Sequence, residues 1–263
     1  MKVKDITAAI EEFAPKTLAE SWDNVGLMVG ATESDIQSVL LTLDVTERVV
    51  DEAIERNIGM IISHHPLIFS PLKSITGATD AERAIVKAIK NNIAIYSAHT
   101  NADSAHGGVS QILAEKLGVK ITAAMEQNPS FEIHIGLGVI GELDEPTNTL
   151  EFLAKVKSVL NLPIVKHSEP HTQMVQKIAI CGGSGASFIE KAKQLGADLY
   201  LTGDLKYHDY FAPEGGITIA DIGHYESEIA ILEKFEKVLK SSHTLKGLEI
   251  CHLKECANPI KTL

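Results

Sequence analysis

The chain has 263 residues, of which 44% are hydrophobic and 22% are charged. This length and composition suit one large or two medium α/β domains and exclude disordered or fibrous proteins. The formal net charge is −11, so nucleic acid is not an expected partner. The amino terminus has no apolar signal-peptide core, and no apolar run approaches the ~18 residues of a membrane span, so we expect no membrane partner.

The cysteines are Cys181, Cys251 and Cys256. Their odd number and the absence of CxxC spacing suit a reducing compartment, so we expect a cytoplasmic protein. Cys251, His252 and Cys256 also resemble a partial metal site. Because this segment reads as a strand and a tail, we favour an ordinary structural role for it.

Hydrophobic periodicity predicts alternating helices and strands along the whole chain. The first predicted helix spans 3–13, and a loop with the only tryptophan then leads to a short strand. The further predicted strands are 38–43, 60–63, 93–98, 131–143, 177–181, 198–202, 217–220 and 248–252. The further predicted helices are 47–56, 80–91, one from 107 to about 118, 148–160, one ending at 194, 207–210 and 226–240, with a turn at 144–146.

The strands are mostly continuous apolar runs, as expected for parallel strands covered on both faces. We therefore predict an α/β fold of two similar three-layer α/β/α domains with mainly parallel sheets. The first domain is expected at 1–124 and the second at 125–263, with the carboxyl-terminal part free to pack back on the first.

Two segments, 41–64 and 180–203, share the same strand–helix–strand spacing. An ancient duplication would explain this match, and so would the general similarity of βαβ units; the sequence leaves both open. Two facing domains would form a cleft, where ligands commonly bind.

Metal-competent side chains follow several of the predicted strands. Imidazoles and carboxylates stand at these strand ends in pairs: His64 with His65, His99 with Asp103, and His224 with Glu228. Ligands of open α/β sheets bind outside the carboxyl ends of strands, so we expect the six side chains to converge.

The spacing within these pairs favours two metal ions. Adjacent strand residues such as His64 and His65 point to opposite faces, so two ions would each take one. His224 and Glu228 are four residues apart, which places them on one helix face. Imidazole and carboxylate ligands suit zinc, manganese, iron, cobalt or nickel rather than calcium. A single histidine at a strand end is usually an ordinary loop residue, but three such pairs favour a metal site.

Six motifs carry a resemblance to a known family. They are Ser21-Trp-Asp-Asn-Val-Gly26, Ile62-Ser-His-His-Pro66, Ala98-His-Thr-Asn-Ala-Asp103, Ile180-Cys-Gly-Gly-Ser-Gly185, Thr202-Gly-Asp204 and Asp221-Ile-Gly-His-Tyr-Glu-Ser-Glu228. In this order they resemble the NIF-three-like family (Ngg-interacting factor three), whose members are widely labelled GTP cyclohydrolase one, type two homologues. The terminal Asn258-Pro-Ile also fits, so the resemblance covers essentially the whole chain.

The resemblance implies a dinuclear metal site in the cleft between two domains and a ring-shaped homohexamer. It also implies the short form of the family, without the additional central domain of longer relatives. The implied metal ligands are His64, His65, Asp103, His224 and Glu228. His99 is left as a further ligand or a proton relay.

The function implied is a dinuclear metal-dependent hydrolase in which activated water attacks a nucleotide or related substrate. Gly182, Gly183, Ser184 and Gly185 would offer backbone N–H groups to phosphate, although a plain tight turn explains them equally well. A phosphoesterase and a metal-binding regulatory or scaffold protein with a protein partner and no turnover remain alternatives. A purely structural metal site is disfavoured, because such sites favour cysteine ligands.

Overall fold

The computed structural model describes residues 1–128, 130–211, 216–255, 258–261 and 263. The strands are β1 (Gly26–Val29), β2 (Ser38–Thr42), β3 (Met60–Ser63), β4 (Ala94–Ser97), β5 (Lys120–Gln127), β6 (Gly136–Asn148), β7 (Lys166–His167), β8 (Met174–Ser184), β9 (Leu199–Gly203), β10 (Thr218–Asp221) and β11 (Glu249–His252). The α-helices are α1 (Val3–Phe13), α2 (Glu47–Glu55), α3 (Asp80–Lys90), α4 (Thr100–Ser104), α5 (Val109–Leu117), α6 (Thr149–Val159), α7 (Ile189–Gln194), α8 (His224–Glu228) and α9 (Ile231–Ser241). Short 3-10 helices lie at Lys16–Leu18, Ala186–Phe188, Tyr207–Phe211 and His243–Leu245.

The chain divides into two compact units. The first unit is discontinuous in sequence and consists of Met1–Ala102 and Ile231–Lys261. The second unit contains Asp103–Ala230. Each unit is built on its own β-sheet.

The sheet of the first unit has the strand order β1-β4-β3-β2-β11. All neighbours pair in parallel except β1, which is antiparallel to β4. Thr42, Ser63 and Ser97 are register partners at the carboxyl ends of β2, β3 and β4. The residues that follow these three strands therefore leave the sheet at one edge.

Two helices of the first unit, α2 and α3, begin at polar caps, and two others, α1 and α9, meet through an aromatic contact. Thr46 and Thr79 accept hydrogen bonds from the first turns of α2 and α3, satisfying backbone N–H groups that have no partner inside the helix. Between α1 and α9, the rings of Phe13 and Phe235 pack edge to face at 6.4 Å. The buried core of this unit thus joins elements from both ends of the chain.

The sheet of the second unit has the strand order β5-β6-β8-β9-β10-β7. Strands β8, β9 and β10 are parallel, whereas β5, β6 and β7 pair antiparallel with their neighbours. In β9, Leu201 belongs to the apolar cluster on one face and Tyr200 to the cluster on the other. Because both faces are covered, the central strands are continuous apolar runs.

The predicted fold class is confirmed: the protein is a mixed α/β protein with two sheets and packed helices. Several local predictions were wrong. The turn expected at 144–146 lies inside β6, where pairing with β8 shifts register between Glu142 and Thr147 and accommodates Pro146. The single helix expected at 226–240 is divided into α8 and α9. Strands β5 and β7 were not predicted. The helix predicted at 207–210 is present, as the 3-10 helix Tyr207–Phe211.

Two expectations from the sequence concern cysteines and membranes. Cys181 and Cys251 are buried free thiols, whereas Cys256, part of the alternative partial metal site, lies outside the described residues. Within the part of the chain that the structure describes, every helix is too short or too polar to cross a bilayer.

Candidate metal centre

Three imidazoles meet where β3 and β4 end in the first unit. His64 and His65 directly follow β3, and His99 lies two residues after the end of β4. The ring centroids are separated by 5.0 Å for His64 and His65, 5.3 Å for His64 and His99, and 5.5 Å for His65 and His99. One nitrogen from each ring lies within 4.8 Å of the others. We call these residues the three-histidine group; their mutual approach is what one metal ion requires.

Each ring of the three-histidine group is oriented through its Nδ1 atom. The Nδ1 of His64 lies 2.8 Å from the carbonyl oxygen of Ala98. The Nδ1 of His65 lies 2.9 Å from Asp44 Oδ1, and that of His99 lies 2.9 Å from Asp23 Oδ1. Since a carbonyl or carboxylate requires an N–H donor, each ring carries its proton on Nδ1. A neutral ring then presents its Nε2 lone pair, as histidine ligands of metals do.

The carboxylate that orients His99 is itself held firmly. Oδ2 of Asp23 accepts hydrogen bonds from the backbone N–H of Thr100 at 3.1 Å and from its hydroxyl at 2.6 Å. Burial alone would raise the pKa of Asp23, but the hydrogen bonds from His99 and Thr100 outweigh burial and lower the pKa to about 2. Asp23 is therefore negatively charged at every physiological pH.

In the second unit, His224 and Glu228 form the His–Glu pair on one face of α8. The Nδ1 of His224 lies 2.7 Å from Asp204 Oδ2, and its Nε2 lies 3.0 Å from Glu228 Oε2. The hydrogen bond to Glu228 raises the pKa of His224 to about 9, against a lowering by burial, and Asp204 adds to the rise. A proton thus sits between two atoms that are both good ligands for a divalent cation.

The glycine-rich segment at the carboxyl end of β8 leaves space for the His–Glu pair. Gly183 has a positive φ of 66°, and a Cβ atom there would overlap Glu228 Oε1. The N–H of Gly183 donates to the Ser227 hydroxyl at 2.9 Å, and the N–H of Gly182 donates to the Ser110 hydroxyl at 3.2 Å. Phosphate binding at Gly182, Gly183, Ser184 and Gly185 therefore stays a prediction, one that these two hydrogen bonds do not favour.

Asp103 lies in α4 and is half-buried. Burial raises the pKa of the Cys181 thiol to about 12, and the negative charges of Asp103 and Glu228 add to the rise. Both carboxylates therefore act on the same thiol within the second unit. The assignment of Asp103 as a metal ligand stays a prediction.

Sequence reasoning did not identify the groups that orient the histidines. These groups are the carboxylates of Asp23, Asp44 and Asp204 and the carbonyl of Ala98. Three of them lie inside motifs already recognised, and Asp44 ends a predicted strand. The signal was therefore present, but only spatial pairing assigns each acceptor to its ring.

A mixed α/β fold with donor groups of histidine and glutamate at its strand ends defines a candidate metal-binding protein. A family model described as Duf34/NIF3 (NGG1p interacting factor 3) matches residues 1–259. The chain belongs to this family, as the six sequence motifs predicted.

Relatives with the same label are found in several bacteria. A Clostridium perfringens protein named GTP cyclohydrolase 1 type 2 homolog is 43% identical over 243 residues, covering 91% of this chain and 92% of the relative. A Bacillus subtilis protein of the same name is 29% identical over 357 residues, covering 96% of this chain and 93% of the relative. That matched length exceeds the 263 residues of this chain, in keeping with a short form. The crystal structure of a Bacillus cereus protein related to NIF3 has a TM-score of 0.86 and 28% identity, covering 100% of this chain and 99% of that chain.

Proposed function

We propose that this protein is a dinuclear metal-dependent hydrolase whose ions are held by His64, His65, Asp103, His224 and Glu228. The observation that carries this proposal is the shared orientation of the histidines. Each ring is bonded through Nδ1 to a carbonyl or carboxylate oxygen. Such bonding fixes the tautomer and directs Nε2 to a cation, and it is typical of metal ligands rather than of isolated surface histidines.

The donor atoms fit a divalent ion of intermediate softness. Imidazole nitrogens together with carboxylate oxygens suit zinc, manganese, iron, cobalt or nickel. When bound, such ions supply Lewis acidity that activates water and stabilises developing negative charge. The buried negative charge of Asp23, with Asp44 beside His65 and Asp204 beside His224, favours cations at these positions.

His99 has a distinct place in the proposal. Its side chain is 17% exposed, and Asp23 holds its Nδ1 proton. Nε2 is therefore the atom that accepts or returns a proton, and the solvent-reachable ring is suited to a relay. A role as a further metal ligand uses the same atom, so the two roles exclude each other at any one moment.

The substrate class follows from the names of the relatives and not from the fold. Relatives at up to 43% identity are named GTP cyclohydrolase 1 type 2 homolog. We therefore propose a nucleotide or related substrate, with hydrolysis as the reaction class and guanosine triphosphate as the first compound to test. We also propose that the protein is cytoplasmic and assembles as a homohexamer. Sedimentation of the purified protein would check the assembly.

The experiment compares metal-free protein with protein reconstituted with zinc, manganese, iron, cobalt or nickel. Guanosine triphosphate and a panel of phosphate esters are supplied, and both metal content and product are measured. We expect turnover with at least one metal and its loss in His65→Ala. His243→Ala is the matched control, because His243 is an exposed histidine of the same unit.

Two outcomes would contradict the proposal, and a third would change its substrate class. Turnover that is unchanged in His65→Ala would overturn the two-metal mechanism. Metal binding without turnover of any substrate would instead support a regulatory or scaffold protein. Turnover of phosphate esters alone would identify a phosphoesterase.

A further inference from the structure

Two large aromatic side chains are exposed beside the three-histidine group. The side chains of Trp22 and Phe69 are 58% and 53% exposed, respectively. Their ring centroids are 6.0 Å apart, and the Trp22 ring contacts that of His99 edge to face at 6.3 Å. Large aromatic side chains are normally buried on folding. Two that are exposed side by side in a fixed arrangement therefore indicate a surface that binds a ligand.

The loop that carries Trp22 is fixed at several points. The side-chain amide of Asn24 donates to the carbonyl of Ile68 at 2.6 Å, which joins this loop to the residue preceding Phe69. The N–H of Glu20 donates to the Thr100 hydroxyl at 3.0 Å. Asp23, the neighbour of Trp22, is the residue that orients His99. The Trp22 indole is therefore held beside the His99 imidazole of the candidate metal centre.

We propose that Trp22 and Phe69 form a stacking platform that binds a planar heteroaromatic ring of the substrate, of the purine type. This inference rests on the proposed function and specifies its substrate class. The indole and phenyl planes are inclined by 53°, so a purine stacks its π-face on the Trp22 indole and meets the Phe69 ring at its side. Such stacking needs no matching of hydrogen-bond donors and acceptors. The contact of Trp22 with His99 brings a ring stacked there next to the group expected to move protons.

The protein carries its own reporter of this interaction. Trp22 is the only tryptophan among the 263 residues, so all indole fluorescence arises at the platform. A base stacked on this indole changes its emission directly. The measurement therefore does not depend on turnover.

The experiment uses full-length protein loaded with the metal that gives the highest occupancy. Guanosine is titrated, and ribose 5-phosphate serves as a probe without a base. We expect guanosine to change the fluorescence and ribose 5-phosphate to leave it unchanged. Calorimetry measures the affinity of each variant for guanosine. Trp22→Leu should weaken this affinity about tenfold or more, which is the loss expected for one base–aromatic stack. The affinity of Trp22→Phe should stay within about threefold of that of the unsubstituted protein.

The matched control is Tyr207→Leu, because Tyr207 is an aromatic residue that is 73% exposed and belongs to the other unit. It should bind guanosine as the unsubstituted protein does. Metal content and thermal unfolding are measured for every variant, so that a folding defect in Trp22→Leu is recognised and Trp22→Phe still decides the question.

Several results would overturn the platform. One is guanosine affinity that is unchanged in Trp22→Leu, and another is equal responses to guanosine and ribose 5-phosphate. A change in assembly mass in Trp22→Leu without loss of guanosine binding would identify the pair as a protein contact. If metal is bound but guanosine is not, the platform fails and the metal centre survives. If guanosine stacks on protein that binds no metal, the proposed hydrolase fails and the platform survives.

Discussion

The side chain of Asp23 is fully buried, and its Oδ1 lies 2.9 Å from Nδ1 of His99, a residue 76 positions later in the chain. Its second oxygen accepts two hydrogen bonds from Thr100. One carboxylate thus sets the direction of a candidate catalytic ring and joins the tryptophan loop to the end of β4. Because its pKa is about 2, its charge does not vary under physiological conditions.

Asp23→Asn should therefore impair both folding and metal binding. The new amide has one acceptor oxygen in place of two, so its NH2 group must face either the Thr100 donors or the Nδ1–H of His99. A buried unsatisfied donor costs about 1–3 kcal/mol. Loss of this negative charge beside the three-histidine group should also weaken metal binding, by about 10- to 100-fold where His99 acts as the further ligand. Chemical denaturation and metal titration measure the two effects, with exposed Asp35→Asn as the control. Unchanged metal affinity would show that Asp23 acts on structure alone.

Gly183→Ala should displace Glu228. The added Cβ overlaps the Glu228 carboxylate, and the positive φ of 66° adds strain of about 1–2 kcal/mol. Gly196→Ala is a matched control with a φ of 74°, because the added Cβ would lie 3.8 Å from Lys177 Nζ, an ordinary van der Waals distance. Both variants should lose stability, but only Gly183→Ala should lose metal. Equal metal content in the two variants would contradict this account of the glycine.

The metal-free protein should lose stability as the pH rises. The pKa of His224 is raised from 6.5 to about 9 by Glu228 and Asp204. A raised folded-state pKa contributes stability fully below pH 6.5 and loses that contribution as the pH passes through about 9. Thermal unfolding between these limits should show the decline, and His224→Gln should flatten it. Added zinc should also release protons near pH 7, measurable by calorimetry in buffers of different ionisation enthalpy.

Cys181 should be inert towards alkylation in the folded protein. Burial, with Asp103 and Glu228, raises the pKa of its thiol to about 12, and the thiolate is the reactive form. Peptide mapping after iodoacetamide treatment at pH 8 should show Cys181 unmodified in native protein and modified in denaturant. Rapid native modification would mean that the segment at the end of β8 opens readily.

The sequence was sufficient for features that depend on local pattern. The apolar run at Met60–Ser63 predicts a buried strand, and the histidines after it predict a group of possible metal ligands at the strand end. The structure contains the strand and the histidine group. The helix at Val3–Phe13 follows from its apolar periodicity. These features are set by residues within a few positions of one another, so a single sequence contains them.

Features that depend on distant pairing were not predictable in this way. Strand β5, Lys120–Gln127, contains alanines and charged residues and is defined by its antiparallel pairing with β6. Asp23 and His99 come from separate segments, and no local spacing relates them. The carboxylates that orient the histidines can therefore be identified only from the three-dimensional structure.

The discontinuity of the first unit has a consequence for biosynthesis. Its sheet is completed by β11, which pairs with β2, and α9 also belongs to it. The second unit is continuous between Asp103 and Ala230, so it can finish folding on the ribosome while the first still lacks its edge strand. This arrangement allows the second unit to complete its fold first, in contrast to the usual order, in which amino-terminal domains fold first. His64, His65 and His99 are translated early. The sheet of the unit that carries them is nevertheless complete only after β11 has been translated.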